Sequence, residues 1–209
     1  GRVRADDGVG PGLQLGDDPD SGVMPPVFTL LVTFLILQRA VEVLIGERNR
    51  RWAFVRGGEE RGKKQYPVVV GIHIGFFISL VLEWQFRSTG WNPLWPLWLG
   101  LLIAAQSVRA WVIASLGRYW NTRIVTIRGM TPIFRGPFRY IRHPNYLAVI
   151  VELFALPVMC GAYLTAAVFS LANAAVLAVR IPEEERALEQ ASGHSLPSIP
   201  RFIPHLHGR

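Results

Sequence analysis

Three stretches of this 209-residue chain combine residue types that can do chemistry: residues 116–120 read LGRYW, 136–146 read GPFRYIRHPNY, and 180–188 read RIPEEERAL. In the second, Pro144 bars His143 from the α region and suits the first position of a helix. Arg142 and His143 therefore stand just before a helix start near Asn145. The free N–H groups and positive dipole end there, with Arg142 alongside, suit a carboxylate or a phosphate. The competing reading leaves Arg139 and Arg142 as plain loop cations. In the third stretch, Arg180 closes an apolar run and meets three consecutive glutamates. On a helix, Glu184 is four residues on from Arg180 and is its natural partner. Glu183 reads as an acidic residue that favours a helix start. Arg180, Glu184 and Glu185 stand at the edge of an apolar run, where ionisable groups are costly unless paired or used, and this favours a functional role.

Other ionisable residues carry less. Glu152 is a carboxylate within an apolar run, either functional or neutralised by a partner on another helix such as Arg109. Arg39 and Glu42, three residues apart, can pair with each other. His73 reads as a packing residue. His194, His205 and His207 have no metal-like company, and the single Cys160 excludes an intramolecular disulfide or a multi-cysteine metal site. No metal site is expected. There is no glycine-rich phosphate loop of the dinucleotide-binding type.

These residues need elements to position them, and the composition says what kind. Half the residues are hydrophobic and 18% are charged, against about 25% in a usual soluble domain, and the mean hydropathy is +0.27. The chain reads as an all-α integral membrane protein. Apolar runs cover residues 25–45, 67–84, 94–116, 146–160 and 163–179, the last two forming a hairpin turned at Gly161-Ala162. A crossing needs roughly 20 residues, so the two hairpin arms are short and call for tilt or a thinned bilayer. The segments 46–66 and 117–145 hold thirteen Lys or Arg, the segment 85–93 one and the Gly161 turn none. The positive-inside rule places the two basic segments and the C-terminus in the cytoplasm and, with five crossings, the N-terminus outside. The net charge of +7 is then accounted for by cytoplasmic loops rather than by nucleic acid. Residues 1–23, rich in Gly, Asp and Pro, are expected to be disordered, as an upstream extension before Met24 or a flexible tail. Residues 24–209 are expected to form one domain.

LGRYW, GPFRYIRHPNY and RIPEEERAL, in that order and with an apolar hairpin between the last two, resemble the isoprenylcysteine carboxyl methyltransferase family of membrane enzymes. The likeness is strongest over residues 116–190. It implies S-adenosylmethionine as methyl donor in a cytoplasmic pocket above the membrane helices, and a lipophilic acceptor reaching it from the bilayer. The family's cofactor element falls on Arg142, His143, Pro144 and Tyr146, with backbone contacts from the loop that includes Gly136. Its paired Arg and Glu fall on Arg180, Glu184 and Glu185. QRAVEV in the first span and RHPNYLAVIVELFALP in the hairpin resemble a bacterial branch associated with type III polyketide synthases, which O-methylates alkylresorcinols or alkylpyrones. Prenylcysteine carboxylate is the family's other acceptor. A phenol with a pKa near 10 must lose its proton as the methyl arrives, a role open to Glu184 or Glu185 with Arg180 orienting the carboxylate. Membrane sterol reductases carry a similar Arg-His-Pro-Asn-Tyr element and bind NADPH. The Arg-Ile-x-x-Glu-Glu element favours the methyltransferase over that reductase. A non-catalytic membrane scaffold is the third reading.

Overall fold

The computed structural model describes residues 26–87 and 90–203. The expected tail at 1–23, Met24, His205 and His207 lie outside the described residues. Five helices follow one another: α1 (Pro26–Phe54), α2 (Tyr66–Arg87), α3 (Trp95–Leu116), α4 (Pro144–Met159) and α5 (Tyr163–Ser192). Four of them are long and apolar enough to cross a membrane; α4, at 16 residues, is a shorter apolar helix. With this composition the chain is an all-α integral membrane protein. The short-arm expectation holds for α4, about 24 Å long at 1.5 Å per residue. It fails for α5, which runs on through Pro182 for 30 residues. The acidic run at 183–185 is thus the continuation of a membrane helix, closed at its C-terminal end by a glycine in the left-handed conformation, Gly193 at φ +73°.

Side chains from α1 to α4 meet in a core of Phe28, Leu35, Phe76, Leu80, Leu102 and Leu153, all nearly fully buried, and Phe169 of α5 packs against it. Phe28 stacks on Trp84 at 4.5 Å. Residues such as Leu30, Phe34 and Leu171 point outward and are exposed, as lipid-facing positions must be. At one end of the bundle, the buried Glu83 of α2 accepts hydrogen bonds from the Leu164 and Thr165 amides at 3.1 and 2.7 Å and from the Thr165 hydroxyl at 2.7 Å. A carboxylate from a neighbouring helix thereby caps the first turn of α5, whose amides have no partners of their own.

At the opposite end, the two basic segments carry regular structure of their own. α1 continues to Phe54, its polar end laced by Glu47 to Arg50 and Arg51 at 2.8 and 3.1 Å. Strands β1 (Gly58–Arg61) and β2 (Ile124–Ile127) pair antiparallel, Gly58 opposite Ile127 and Arg61 opposite Ile124. Three β-branched aliphatic residues in four positions of β2 favour a strand. Asn49 donates to the carbonyls of Gly117 and Trp120 at 3.2 and 2.7 Å, which fixes the LGRYW corner against α1.

Candidate functional site

The start of α4 faces the far half of α5, because the two helices are the arms of a hairpin. Pro144 occupies the first helical position, as its sequence setting predicts. The Leu147 amide reaches the His143 carbonyl at 3.1 Å, so the Asn145 and Tyr146 amides of the first turn are left without intrahelical partners. The Tyr146 hydroxyl donates to Glu184 and accepts from Arg180 Nε at 2.9 Å. Arg180 also donates to the Thr122 carbonyl at 2.8 Å. The i+4 reading pairs Arg180 with Glu184 directly; instead, the Tyr146 hydroxyl stands between them. This arrangement serves both charged groups through one neutral group and leaves Glu184 Oε1 without a partner among the described residues.

Glu185 is arranged differently. Its Oε1 takes hydrogen bonds from His143 Nε2 at 3.0 Å and Arg201 Nε at 3.1 Å and lies 3.1 Å from Arg142 Nη1, while Oε2 takes Arg201 Nη2 at 2.6 Å. The Glu185 carboxylate holds the Arg201 guanidinium above its usual pKa through these hydrogen bonds. The chain around Arg201 is fastened as well: the Arg142 and His143 amides donate to the Pro200 and Arg201 carbonyls at 2.9 and 3.1 Å, and Arg142 Nε to the Ile199 carbonyl at 2.6 Å. The segment 199–201 therefore straps the start of α4 to α5. Among the described residues, Arg142 Nη2 has no partner.

A cavity of about 620 Å³ opens from this cluster into the bundle. Arg142, His143, Pro144, Tyr146, Arg180 and Glu184 line one part of it. The lining continues along apolar faces of α1, α2 and α5, including Leu44 and Ile74, which are 69% and 57% exposed on the lipid-facing flank. A second cavity of about 140 Å³ lies under Phe134 and Leu188 and shares Arg142, His143 and Glu184 with the first. Glu185 and Gly136 line neither. Gly136, at φ +62°, sits so close to α3 that a Cβ there would stand 2.1 Å from Ser115 Oγ, so a glycine is required for the loop to lie against the helix.

Deeper in the bundle Arg39, Glu42, Arg109 and Glu152 form one buried cluster. Arg109 pairs with Glu152, Arg39 with Glu42 at 2.7 Å, and the crossed contacts are 3.6 and 3.7 Å. Both pairings expected for Glu152 and for Arg39 are therefore present, joined into a tetrad. Gln38 and Gln106 bridge it from α1 to α4, at 2.8 Å to each other and 3.2 Å from Gln106 to Glu152.

Residues 98–190, which carry most of this constellation, match the model of the isoprenylcysteine carboxyl methyltransferase family. The uncharacterized protein YpbQ of Bacillus subtilis (strain 168) is 37% identical over 166 residues, covering 79% of this chain and 99% of that protein. The chain belongs to the isoprenylcysteine carboxyl methyltransferase family. An uncharacterized protein of Haemophilus influenzae is 29% identical, covering 75% of this chain and 93% of that protein. Methanethiol S-methyltransferase 2 of Bradyrhizobium diazoefficiens is 31% identical over 63% of this chain and 57% of its own length. Membership of the isoprenylcysteine carboxyl methyltransferase family and this relative support methyltransferase activity in a membrane protein.

The match to the family ends at residue 190 and so excludes Arg201 and the strap that binds Glu185. Sequence reasoning missed these and Thr122, and it gave no role of their own to Asn145 and Trp120, which lie within stretches it singled out. Asn145 was in plain view within RHPNY. Its Oδ1 is buried at the cavity lining without a partner, as is Trp120 Nε1. Arg201 had no local signal, since its partners lie on the other side of a turn.

Proposed function

We propose that the chain transfers a methyl group from S-adenosylmethionine to an oxygen of a lipophilic acceptor at the cytoplasmic face of the membrane. One observation carries this reading: a single cavity lining joins the cationic start of α4 to Tyr146–Glu184 and then to apolar helix faces on the lipid flank. The sidedness follows from the thirteen basic residues that flank the cavity's polar end.

The residues present fit the cofactor. Its amino-acid end carries a carboxylate and an ammonium. Arg142 Nη2 and the free amides of Asn145 and Tyr146 suit the carboxylate. Asn145 Oδ1, a buried acceptor without a partner, suits a donor such as the ammonium or a hydroxyl, and Trp120 Nε1 suits an acceptor. When bound, S-adenosylmethionine supplies a methyl carbon already made electrophilic by its cationic sulfur.

The chain's own part is position and proton. Glu184 receives the acceptor's hydroxyl proton on Oε1 while the Tyr146 hydroxyl holds Oε2 and Arg180 holds the tyrosine. Glu185, with both oxygens taken, is a positioning residue that keeps Arg142 and His143 in place. The apolar flank admits an alkyl chain from the bilayer and keeps water from it. An alkylresorcinol or alkylpyrone fits this chamber, with its ring hydroxyl at Glu184 and its chain among the helices. The methanethiol S-methyltransferase relative favours a second reading, in which the acceptor atom is a thiol sulfur.

The test is label transfer by the purified full chain from methyl-labelled S-adenosylmethionine. The acceptors are 5-pentadecylresorcinol, a 6-alkyl-4-hydroxy-2-pyrone, N-acetylfarnesylcysteine and an alkanethiol. Label on either hydroxyl acceptor supports the first reading. Label on the thiol alone supports the second, and label on the prenylcysteine alone overturns the alkylresorcinol and alkylpyrone assignment. Calorimetry showing binding of NADPH and none of S-adenosylhomocysteine overturns methyl transfer altogether.

A further inference from the structure

The far end of the 620 Å³ cavity is not apolar. Arg39, Glu42, His73 and Arg109 all line it. Arg109 is 2% exposed, yet its Nε has no hydrogen-bond partner, and Arg39 Nε is buried and unpartnered as well. Buried donors without partners are rare and ask for an explanation. His73 supplies the complementary group. Its Nδ1 lies 2.9 Å from the Val69 carbonyl, which can only accept, so Nδ1 carries the hydrogen. In the neutral ring Nε2 is then an acceptor, and it has no partner among the described residues. The ring is near enough to the tetrad for Arg39, Arg109 and Glu152 to act on it electrostatically.

The tetrad is two cations and two anions, hence neutral. An added carboxylate would bring an uncompensated charge into the bundle, whereas an uncharged polar group keeps the balance. A group that both accepts and donates, such as a hydroxyl, meets the guanidinium Nε and the imidazole Nε2 together. Tyr146 and Glu152 are six residues apart on α4, so the two polar ends of the cavity are separated by about 9 Å along that helix.

We propose that the tetrad end of the cavity is a second polar subsite, in which Arg39 or Arg109 Nε and His73 Nε2 hold an uncharged hydroxyl of the acceptor, about 9 Å further along the α4 axis than the Tyr146 end. The subsite rests on the reading of this cavity as the acceptor's chamber. It selects amphiphiles with two polar groups at that spacing over plain alkyl chains.

His73 makes no ion pair among the described residues, so its accessibility can be read without disturbing the tetrad. The full chain in lipid nanodiscs is treated with diethyl pyrocarbonate, which acylates an unprotonated imidazole nitrogen, and labelling is mapped by mass spectrometry with the surface His194 as internal control. Decan-1-ol and n-undecane, at equal mole fraction in the lipid, are the probes. The expected result is that His73 is labelled, that decan-1-ol lowers its labelling at least fivefold, and that n-undecane changes it by less than twofold. Equal protection by both probes, protection by neither, or no labelling of His73 before any probe is added each overturns the subsite. Calorimetry with S-adenosylhomocysteine on the same sample tests methyl transfer separately. Selective protection by the alcohol without cofactor binding keeps the subsite and sinks the methyltransferase reading, and the converse result does the reverse.

Discussion

Arg201 grips both oxygens of Glu185 with one edge of its guanidinium, Nε to Oε1 at 3.1 Å and Nη2 to Oε2 at 2.6 Å, and so ties residues 199–201 to the helix that carries Arg180 and Glu184. Arg201 is about half exposed, which limits the pair itself to about 0.5–1 kcal/mol. Its larger effect is on Arg142, held by the same strap. Arg201→Ala should lower Tm by only a few degrees yet weaken S-adenosylhomocysteine binding several-fold by calorimetry. Because the Arg201 pKa is raised, its share of stability is full below the usual guanidinium value and fades only at still higher pH. The wild-type strap should therefore show no Arg201 titration between pH 6 and 9.

The two neighbouring glutamates should separate cleanly. Glu184→Gln removes the proton acceptor and should cut turnover about 100-fold, the low end of general base effects, while S-adenosylhomocysteine affinity stays within twofold. Glu185→Gln strips the partner of Arg142, His143 and Arg201. It should weaken the cofactor analogue and lower Tm. If Glu185→Gln alone loses turnover with binding intact, the roles are reversed.

Arg142→Ala is expected to weaken S-adenosylmethionine binding by about 1.5–3 kcal/mol, the scale of hydrogen bonds to a charged group. An unchanged calorimetric Kd in a folded Arg142→Ala protein would place the cofactor's carboxylate elsewhere.

The buried pair Arg109–Glu152 should behave as a unit. Arg109→Leu alone leaves Glu152 without its closest cation and should cost about 3–5 kcal/mol, whereas Arg109→Leu with Glu152→Leu should cost much less. Thermal unfolding of the two variants in one detergent tests this, and equal losses would show that the pair is not coupled.

Sidedness is open to chemical labelling. Cys160, the chain's one cysteine, is fully buried and gives a low background. A cysteine at Gly90 should react with an impermeant thiol reagent from outside intact cells, and one at Lys63 should react only after lysis. The reverse pattern would invert the topology. Thr126 of the same basic face would be a poor probe site, because it is buried in β2, where a thiol would be silent on either side.

What was legible in the chain was local. The five apolar runs, the Pro144 helix start and the Gly161 turn each announce themselves within a few residues, and RHPNY and RIPEEERAL are contiguous. What escaped was held by distant partners. Glu83 meets Thr165 from 82 positions away, and Asn49 meets Trp120 from 71. A rule for i+4 neighbours joined Arg180 to Glu184 because it had no means of seeing Tyr146 from the other arm. The β1–β2 ribbon was hidden among cations that read as loop, although the β-branched run of residues 124–127 was its one visible sign.

The cap that Glu83 places on α5 makes that helix a ruler. Thr165 is pinned at one end, and Arg180 stands 15 residues further, about 23 Å along the axis. Depth and rotational phase of Arg180 and Glu184 are therefore set from the opposite side of the membrane. One residue inserted between Thr165 and Arg180 would turn the end of the helix that carries Arg180 and Glu184 by about 100°, aiming both side chains away from Tyr146 while leaving every residue of the cluster intact.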